Sequence, residues 1–159
     1  MRIEIFGDGI DRSQINKTHH KISARAVVVD DGKVLCVHFS KTDHYNLPGG
    51  GLEKGETLSE CAIREAKEET GYDVSVVAET VAVLEYYPDS TWETHFFRCE
   101  LRNSQKSATQ LTDEEKTTGL TTRWIELYAF LEILETSPTN HPNGENIHQR
   151  ELIGLLNSL

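Results

Sequence analysis

The chain predicts an α/β fold in which a mixed β-sheet lies between helices. Two observations carry that prediction. Strand-like runs come first, one strongly patterned helix interrupts them, further strand-like runs follow, and helical runs close the chain. No stretch of linker composition divides the 159 residues, so one domain over 1–159 is expected. A chain of that length buries roughly 70% of the surface that it exposes when unfolded.

In order, Arg2 to Phe6 alternates and reads as a short strand. Gly7 to His20 is polar and reads as a loop. His19 and His20 in it are taken as surface histidines, since adjacent residues do not face one another as metal ligands must. Lys21 to Val29 is apolar and β-branched, hence a strand, and Asp30-Asp31-Gly32 signals a hairpin turn into a returning strand, Val34 to Phe39. Ser40 to Asn46 is a polar loop. Gly49, Gly50, Gly51 and Gly55 around Leu52 then make a tight turn, glycine being the residue that turns at φ > 0 without steric cost. Thr57 to Thr70 is a helix: Thr57 and Glu60 have capping-box spacing, and Gly71 is a natural stop. Val74 to Tyr87 is one long strand or two short ones, and Pro88-Asp89-Ser90 a turn. In the strand Trp92 to Leu101, Trp92, Thr94, Phe96 and Arg98 face one side and Glu93, His95, Phe97 and Cys99 the other. Arg102 to Gly119 reads as a long polar loop, and such loops are often functional. Thr121 to Ile125 is the last strand, with Trp124 packed at its end. Glu126 to Glu135 is a short amphipathic helix and Ser137 to Gly144 an irregular loop. Ile147 to Leu159 is a helix with Leu152, Leu155, Leu156 and Leu159 on one stripe.

The helix after the glycine turn contains a conflict. At about 100° per residue, Leu58, Cys61, Ala62 and Ala66 form one apolar stripe. Glu65 and Glu69 project into its middle and Glu68 sits at its edge, while Arg64 and Lys67 point away. An amphipathic helix keeps acids off its apolar face. Partly desolvated, at an effective dielectric of about 20 and a separation of about 6 Å, each like pair costs roughly 2–3 kcal/mol. A divalent cation is the simplest offset, and oxygen-only ligands suit Mg²⁺ or Mn²⁺ better than Zn²⁺. The competing reading is a solvated acidic helix face.

The net charge is −10, from 16 basic and 26 acidic residues. Such a chain is a poor non-specific binder of nucleic acid or anionic membrane, so neither a nucleic-acid polymer nor a membrane is an expected partner. No run approaches the ~20 apolar residues of a membrane span, and the N-terminus lacks a signal-peptide core. Cys36, Cys61 and Cys99 are odd in number and lack metal-site spacing, which suggests reduced, buried thiols and a cytoplasmic location.

Gly50 to Tyr72 resembles the Nudix box, G-x5-E-x7-R-E-U-x-E-E-x-G-U, where U is bulky or aliphatic. Gly50, Glu56, Arg64, Glu65, Glu68, Glu69 and Gly71 fill its fixed positions, and Ala66 and Tyr72 stand at the two U positions. Leu47-Pro48-Gly49 is similar to the family lead-in. The resemblance implies an α/β/α sandwich and metal-dependent hydrolysis of a nucleoside diphosphate linked to a moiety X, giving a nucleoside monophosphate and phosphorylated X. It implies Mg²⁺, with Mn²⁺ as the alternative, held by Glu65, Glu68 and Glu69 with the Gly50 carbonyl. Arg64 would pair with a box carboxylate, Glu56, and fix the loop, which Gly71 ends. A further carboxylate would come from the loop 102–119: Glu115, with Glu114 as alternative. The general base would be Glu65, Glu69 or Glu115. Near the substrate the resemblance places His44 and Tyr45. Tyr86, Tyr87 or Trp92 offers the flat wall that a base needs, against the alternative of core packing.

The chain is short and has no added substrate domain, so a house-cleaning (d)NTP pyrophosphohydrolase, acting also on oxidised purine triphosphates, is the first expectation. Hydrolysis of ADP-ribose, a nucleotide sugar or a dinucleoside polyphosphate is the next. A non-catalytic nucleotide sensor is the alternative class, although such proteins usually lose box carboxylates. A homodimer through the segments before Lys21 or after Ser137 is compatible with the resemblance.

Overall fold

A computed structural model describes residues 1–7, 10–15 and 20–159, with Gln14 described in its backbone only. His19 lies outside the described residues. Alternating residues pair their backbones into an eight-stranded sheet that runs β1 (Arg2–Phe6), β6 (Tyr72–Tyr86), β7 (Thr91–Lys106), β2 (His20–Asp30), β3 (Lys33–Phe39), β4 (His44–Asn46). Off that path, β5 (Gly49–Gly51) pairs with β2 and β8 (Leu120–Glu126) pairs with β3. The β1–β6 and β2–β7 pairs are parallel, and the β6–β7, β2–β3, β2–β5, β3–β4 and β3–β8 pairs antiparallel, so the sheet is mixed as expected.

Both faces of the sheet are covered, because neighbouring residues on a strand point to opposite sides. Val27 and Phe96 pack with Phe130 and Leu134 of α3 (Leu127–Thr136) and Leu155 of α4 (Gly144–Leu156). Ala26, Val28 and Phe97 pack with Cys61, Ala62 and Ala66 of α1 (Leu58–Thr70). This is the α/β/α sandwich. The three cysteines are free and buried. Burial pushes their thiols up, to about 12, 11 and 12 for Cys36, Cys61 and Cys99.

The caps of α1 are as the spacing predicts. Thr57 Oγ1 accepts from the Glu60 N–H while the Glu60 side chain accepts from Thr57, and Gly71 closes the helix at φ 79°. Five expectations need correction. His20 is exposed, as expected of it, but opens β2 instead of ending the loop, and its Nε2 pairs with Glu93 at 2.9 Å. The end of the Ser40–Asn46 segment is a strand, β4, and three residues of the glycine turn form β5. β7 runs on to Lys106. Part of the expected loop 102–119 is the six-residue helix α2 (Asp113–Thr118), capped by Thr112 and Glu115. Finally, α4 begins at Gly144, and Leu156 and Leu159 are 53% and 56% exposed. Its buried positions are Leu155 of the expected stripe together with His148, Arg150, Glu151 and two glycines. Charged groups occupy them because they neutralise one another, as described below.

Candidate metal and nucleotide site

One turn of α1 separates Glu65 from Glu69, so both carboxylates project toward β5. Gly50 lies against the first: a Cβ there would sit 2.5 Å from Glu65 Oε1. Gly49 donates its N–H to Glu69 Oε2 at 2.9 Å. A Cβ on Gly49 would strike the Ala24 carbonyl, so only glycine lets β5 come this close to β2. From the other side α2 brings Glu115, whose Oε2 accepts from the Thr112 N–H at 2.7 Å. Ligand oxygens of Glu65, Glu69 and Glu115 all lie within 4.8 Å of one another, the only such acidic, histidine or cysteine group among the described residues.

Each of the three carboxylates has one oxygen fixed by a donor: Arg64 Nη1 on Glu65, the Gly49 N–H on Glu69 and the Thr112 N–H on Glu115. Glu69 is 3% exposed, and burial pushes its carboxyl up to about 8, with Arg25 and the Gly49 N–H pulling the other way and Glu65 and Glu115 adding to the rise. Burial also raises Glu65, against the pull of Arg64. Three oxygen donors crowded at this cost, with glycine backbone beside them, fit Mg²⁺ or Mn²⁺.

Arg64 stands off the apolar stripe and turns to the acids. It grips Glu56 with two nitrogens, at 2.7 and 3.0 Å, and reaches Glu65 at 2.7 Å, Glu68 at 3.1 Å and the Gly51 carbonyl at 3.1 Å. Its long stem folds back over the helix, which a wheel of Cα directions does not show. Arg64 holds Glu56 below the usual carboxylate range. Glu68 is turned to Arg64 and does not join the trio of Glu65, Glu69 and Glu115. The Gly50 carbonyl takes a weak bond from the Cys61 thiol at 3.5 Å.

A cleft of about 960 Å³ opens from Glu69 and Glu115 between the two halves of the sheet. Phe39, His44 and Asn46 line it, as do Lys21, Tyr87 and Trp92. The His44 ring stacks on Phe39 (centroids 4.6 Å, 4°) and burial holds it near pKa 4, so it stays neutral. Lys21 Nζ sits 4.4 Å above the Trp92 ring. Two aromatic candidates lie elsewhere, for the same reason of alternation. Tyr45, between His44 and Asn46, stacks on His38 at 4.4 Å and packs with the α3/α4 core. Tyr86 is buried against Phe6 with its hydroxyl on Glu4, and Tyr87 takes the cleft position. Glu114 lines the cleft but lies outside the trio. A second depression of about 800 Å³ adjoins the cleft, sharing Tyr87, Pro88, His141 and Asn143.

The sequence reading missed the floor of the cleft. Arg25, Glu85 and Arg150 line it, and the fully buried Glu151 stands behind them. Arg150 pairs with Glu85 at 2.9 Å and with Glu151 at 2.6 Å, and Arg25 meets Glu151 at 3.0 Å. The signal was a charge inside each apolar strand run, Arg25 in the first and Glu85 in the later one, since such residues are almost never buried unless paired.

The chain belongs to the Nudix family: the NUDIX domain model matches residues 19–149. A putative 8-oxo-dGTP diphosphatase of Bacillus subtilis (strain 168) is 31% identical over 99 residues, 62% of this chain and 61% of the relative. The NAD-capped RNA hydrolase NudC of Vibrio atlanticus (strain LGP32) is 50% identical over 50 residues, 30% of this chain and 19% of the relative. The chain thus spans less than two thirds of either relative's length. Among solved structures, a NUDIX hydrolase from Nitrosomonas europaea matches with a TM-score of 0.63 at 19% identity, over 81% of this chain and 86% of that one, a likeness of fold. Among the described residues no helix is long and apolar enough to cross a membrane.

Proposed function

We propose that this chain hydrolyses the diphosphate linkage of a nucleoside diphosphate derivative, releasing a nucleoside monophosphate and phosphorylated X. The convergence of Glu65, Glu69 and Glu115 at the mouth of an aromatic-walled cleft carries the reading. These three carboxylates would hold Mg²⁺, or Mn²⁺ in its place. When bound, the cation neutralises diphosphate charge and acidifies water. The chain itself orients and excludes. Arg64 locks the box loop to α1 through Glu56, the Gly49 N–H fixes the rotamer of Glu69, and one carboxylate of the trio takes the proton of the attacking water. The stacked Phe39–His44 pair and Trp92 offer flat faces to a base.

Within this class we favour a (d)NTP of the house-cleaning type. The relative named for 8-oxo-dGTP is matched over more of both chains than the one named for capped RNA, which supports it. A second reading, a substrate with a bulky X such as ADP-ribose or a nucleotide sugar, is supported by the depression that adjoins the cleft, since it offers room for a second moiety. A phosphate-release screen over canonical and oxidised dNTPs, ADP-ribose, nucleotide sugars and dinucleoside polyphosphates, with Mg²⁺, Mn²⁺ or EDTA, tests both. Turnover of a triphosphate only with metal supports the first reading, and turnover of a two-ended diphosphate the second. No turnover with metal binding intact moves the reading to a substrate outside the panel or to the non-catalytic sensor class.

A further inference from the structure

The Leu47–Gly49 segment is tied to the C-terminal helix α4, which lies far from it in sequence. β4 is the last strand on its side of the sheet path, and an edge strand leaves backbone donors without a neighbour. Here α4 supplies the acceptors. His148 Nε2 takes the Tyr45 N–H at 3.1 Å, and Glu151 Oε2 takes the Leu47 N–H at 2.8 Å. Donors two residues apart on an extended chain meet acceptors three apart on a helix, so one helix face tracks one strand edge.

Glu151 Oε1 is the hub. It receives Arg150 Nε at 2.8 Å and lies 3.0 Å from Arg25 Nε. Arg25 reaches on with Nη1 to the Leu47 carbonyl at 2.6 Å and the Gly49 carbonyl at 3.3 Å. The next peptide contact is the Gly49 N–H on Glu69. Contacts therefore run from α4 through the Glu151–Arg25 ion pair to the Gly49 carbonyl, and from the N–H of the same glycine to Glu69. Arg25 and Arg150 against Glu85 and Glu151 balance in charge, which lets all four sit in the interior.

We propose that Arg25 and Glu151 are positioning residues for the metal-binding carboxylates. They hold the Leu47–Gly49 turn at the distance that aims Glu69, and α4 is through them a part of the metal site. This rests on the metal reading above.

Electrostatics and positioning predict opposite signs for the loss of Arg25 alone, so the variants of the test leave the net charge unchanged. Arg25 is a cation beside Glu69, so its removal by charge alone strengthens the binding of a divalent cation. If Arg25 positions, its removal weakens binding. The double variant R25Q/E151Q removes one charge of each sign and leaves Arg150 paired with Glu85. Mn²⁺ binding to the purified chain, followed by electron paramagnetic resonance without substrate, should weaken roughly 10–100-fold, as losses of groups that orient ligands do. The Arg25→Lys variant keeps the charge but has one nitrogen in place of the Nε and Nη1 that join Glu151 to the two carbonyls, and should lose Mn²⁺ affinity in the same direction with a smaller change in Tm. Mn²⁺ binding by either folded variant as tight as wild type, or tighter, overturns the proposal. Wild-type protein that binds no Mn²⁺ overturns the metal reading, and this proposal with it. Unchanged variants beside a binding wild type overturn this proposal alone.

Discussion

Arg64 meets Glu56 fork to fork, Nε on one carboxylate oxygen at 2.7 Å and Nη2 on the other at 3.0 Å. The same guanidinium touches Glu65, Glu68 and the Gly51 carbonyl, so one side chain ties the box loop to the helix. Lysine offers a point charge and no fork. Arg64→Lys should keep the fold and lower kcat roughly 10–100-fold, by analogy with other groups that orient metal ligands. Steady-state kinetics beside a thermal melt check this, and wild-type kcat in the variant would refute the orienting role.

Glu69→Gln should abolish Mg²⁺-dependent turnover and leave the fold intact. The amide keeps an oxygen to accept the Gly49 N–H and removes a carboxyl that burial disfavours when charged. Without metal, the variant should therefore melt at the wild-type temperature or above it. A variant that retains wild-type kcat would sink the assignment of Glu69 as a ligand.

Proton linkage gives a third expectation. Burial holds the Glu69 carboxyl at about 8, against 4.5 in the open. Between these values the folded chain keeps a proton that the unfolded chain has released. Its contribution is therefore fully present below about 4.5 and is lost as pH rises toward 8. His44, held near 4, acts in the opposite direction below its ordinary 6.5, so the comparison belongs above that value. In EDTA, wild-type Tm should fall relative to Glu69→Gln between pH 6.5 and 8. Mg²⁺ must displace the proton, so its affinity should climb with pH over the same interval. Melts at several pH values and calorimetry in two buffers would show it. Parallel wild-type and variant curves would contradict it.

Phe96 is fully buried between β7 and the α3/α4 layer. Phe96→Ala should cost about 3–5 kcal/mol, with the cavity term included. Urea unfolding measures this directly, and a loss under about 1 kcal/mol would mean that the helices settle into the gap.

The parts legible in the sequence are those that depend on near neighbours. Thr57, Glu60 and Gly71 mark the ends of α1 because a cap involves residues three or four apart. Glu65 and Glu69 share a face for the same reason. Glu115 joins them from a segment read as loop. Six residues are too few to show a period, and the Thr112–Glu115 capping spacing was the one signal of α2. The resemblance points to Tyr45 and the need for a flat wall to Tyr86, but alternation fixes only relative direction, and the assembled sheet alone fixes which face meets the cleft. The ties of Leu47 to Glu151 and of Arg150 to Glu85 span 104 and 65 residues, beyond any local pattern. Leucine spacing placed Leu152 and Leu155 on the core side of α4 correctly, and Leu156 and Leu159 wrongly.

The two helices that bear acids and the strands that wall the cleft are separate pieces of the molecule. Glu65, Glu69 and Glu115 hang from α1 and α2, whereas Phe39, His44 and Trp92 stand on β3, β4 and β7. On the proposed reading, the hydrolytic engine and the substrate gauge are modular. A lineage can exchange the gauge by point changes at a few strand positions while the engine stays as it is. The same partition tells the protein engineer where to begin: a library at 39, 44 and 92 searches new bases without touching the acidic trio.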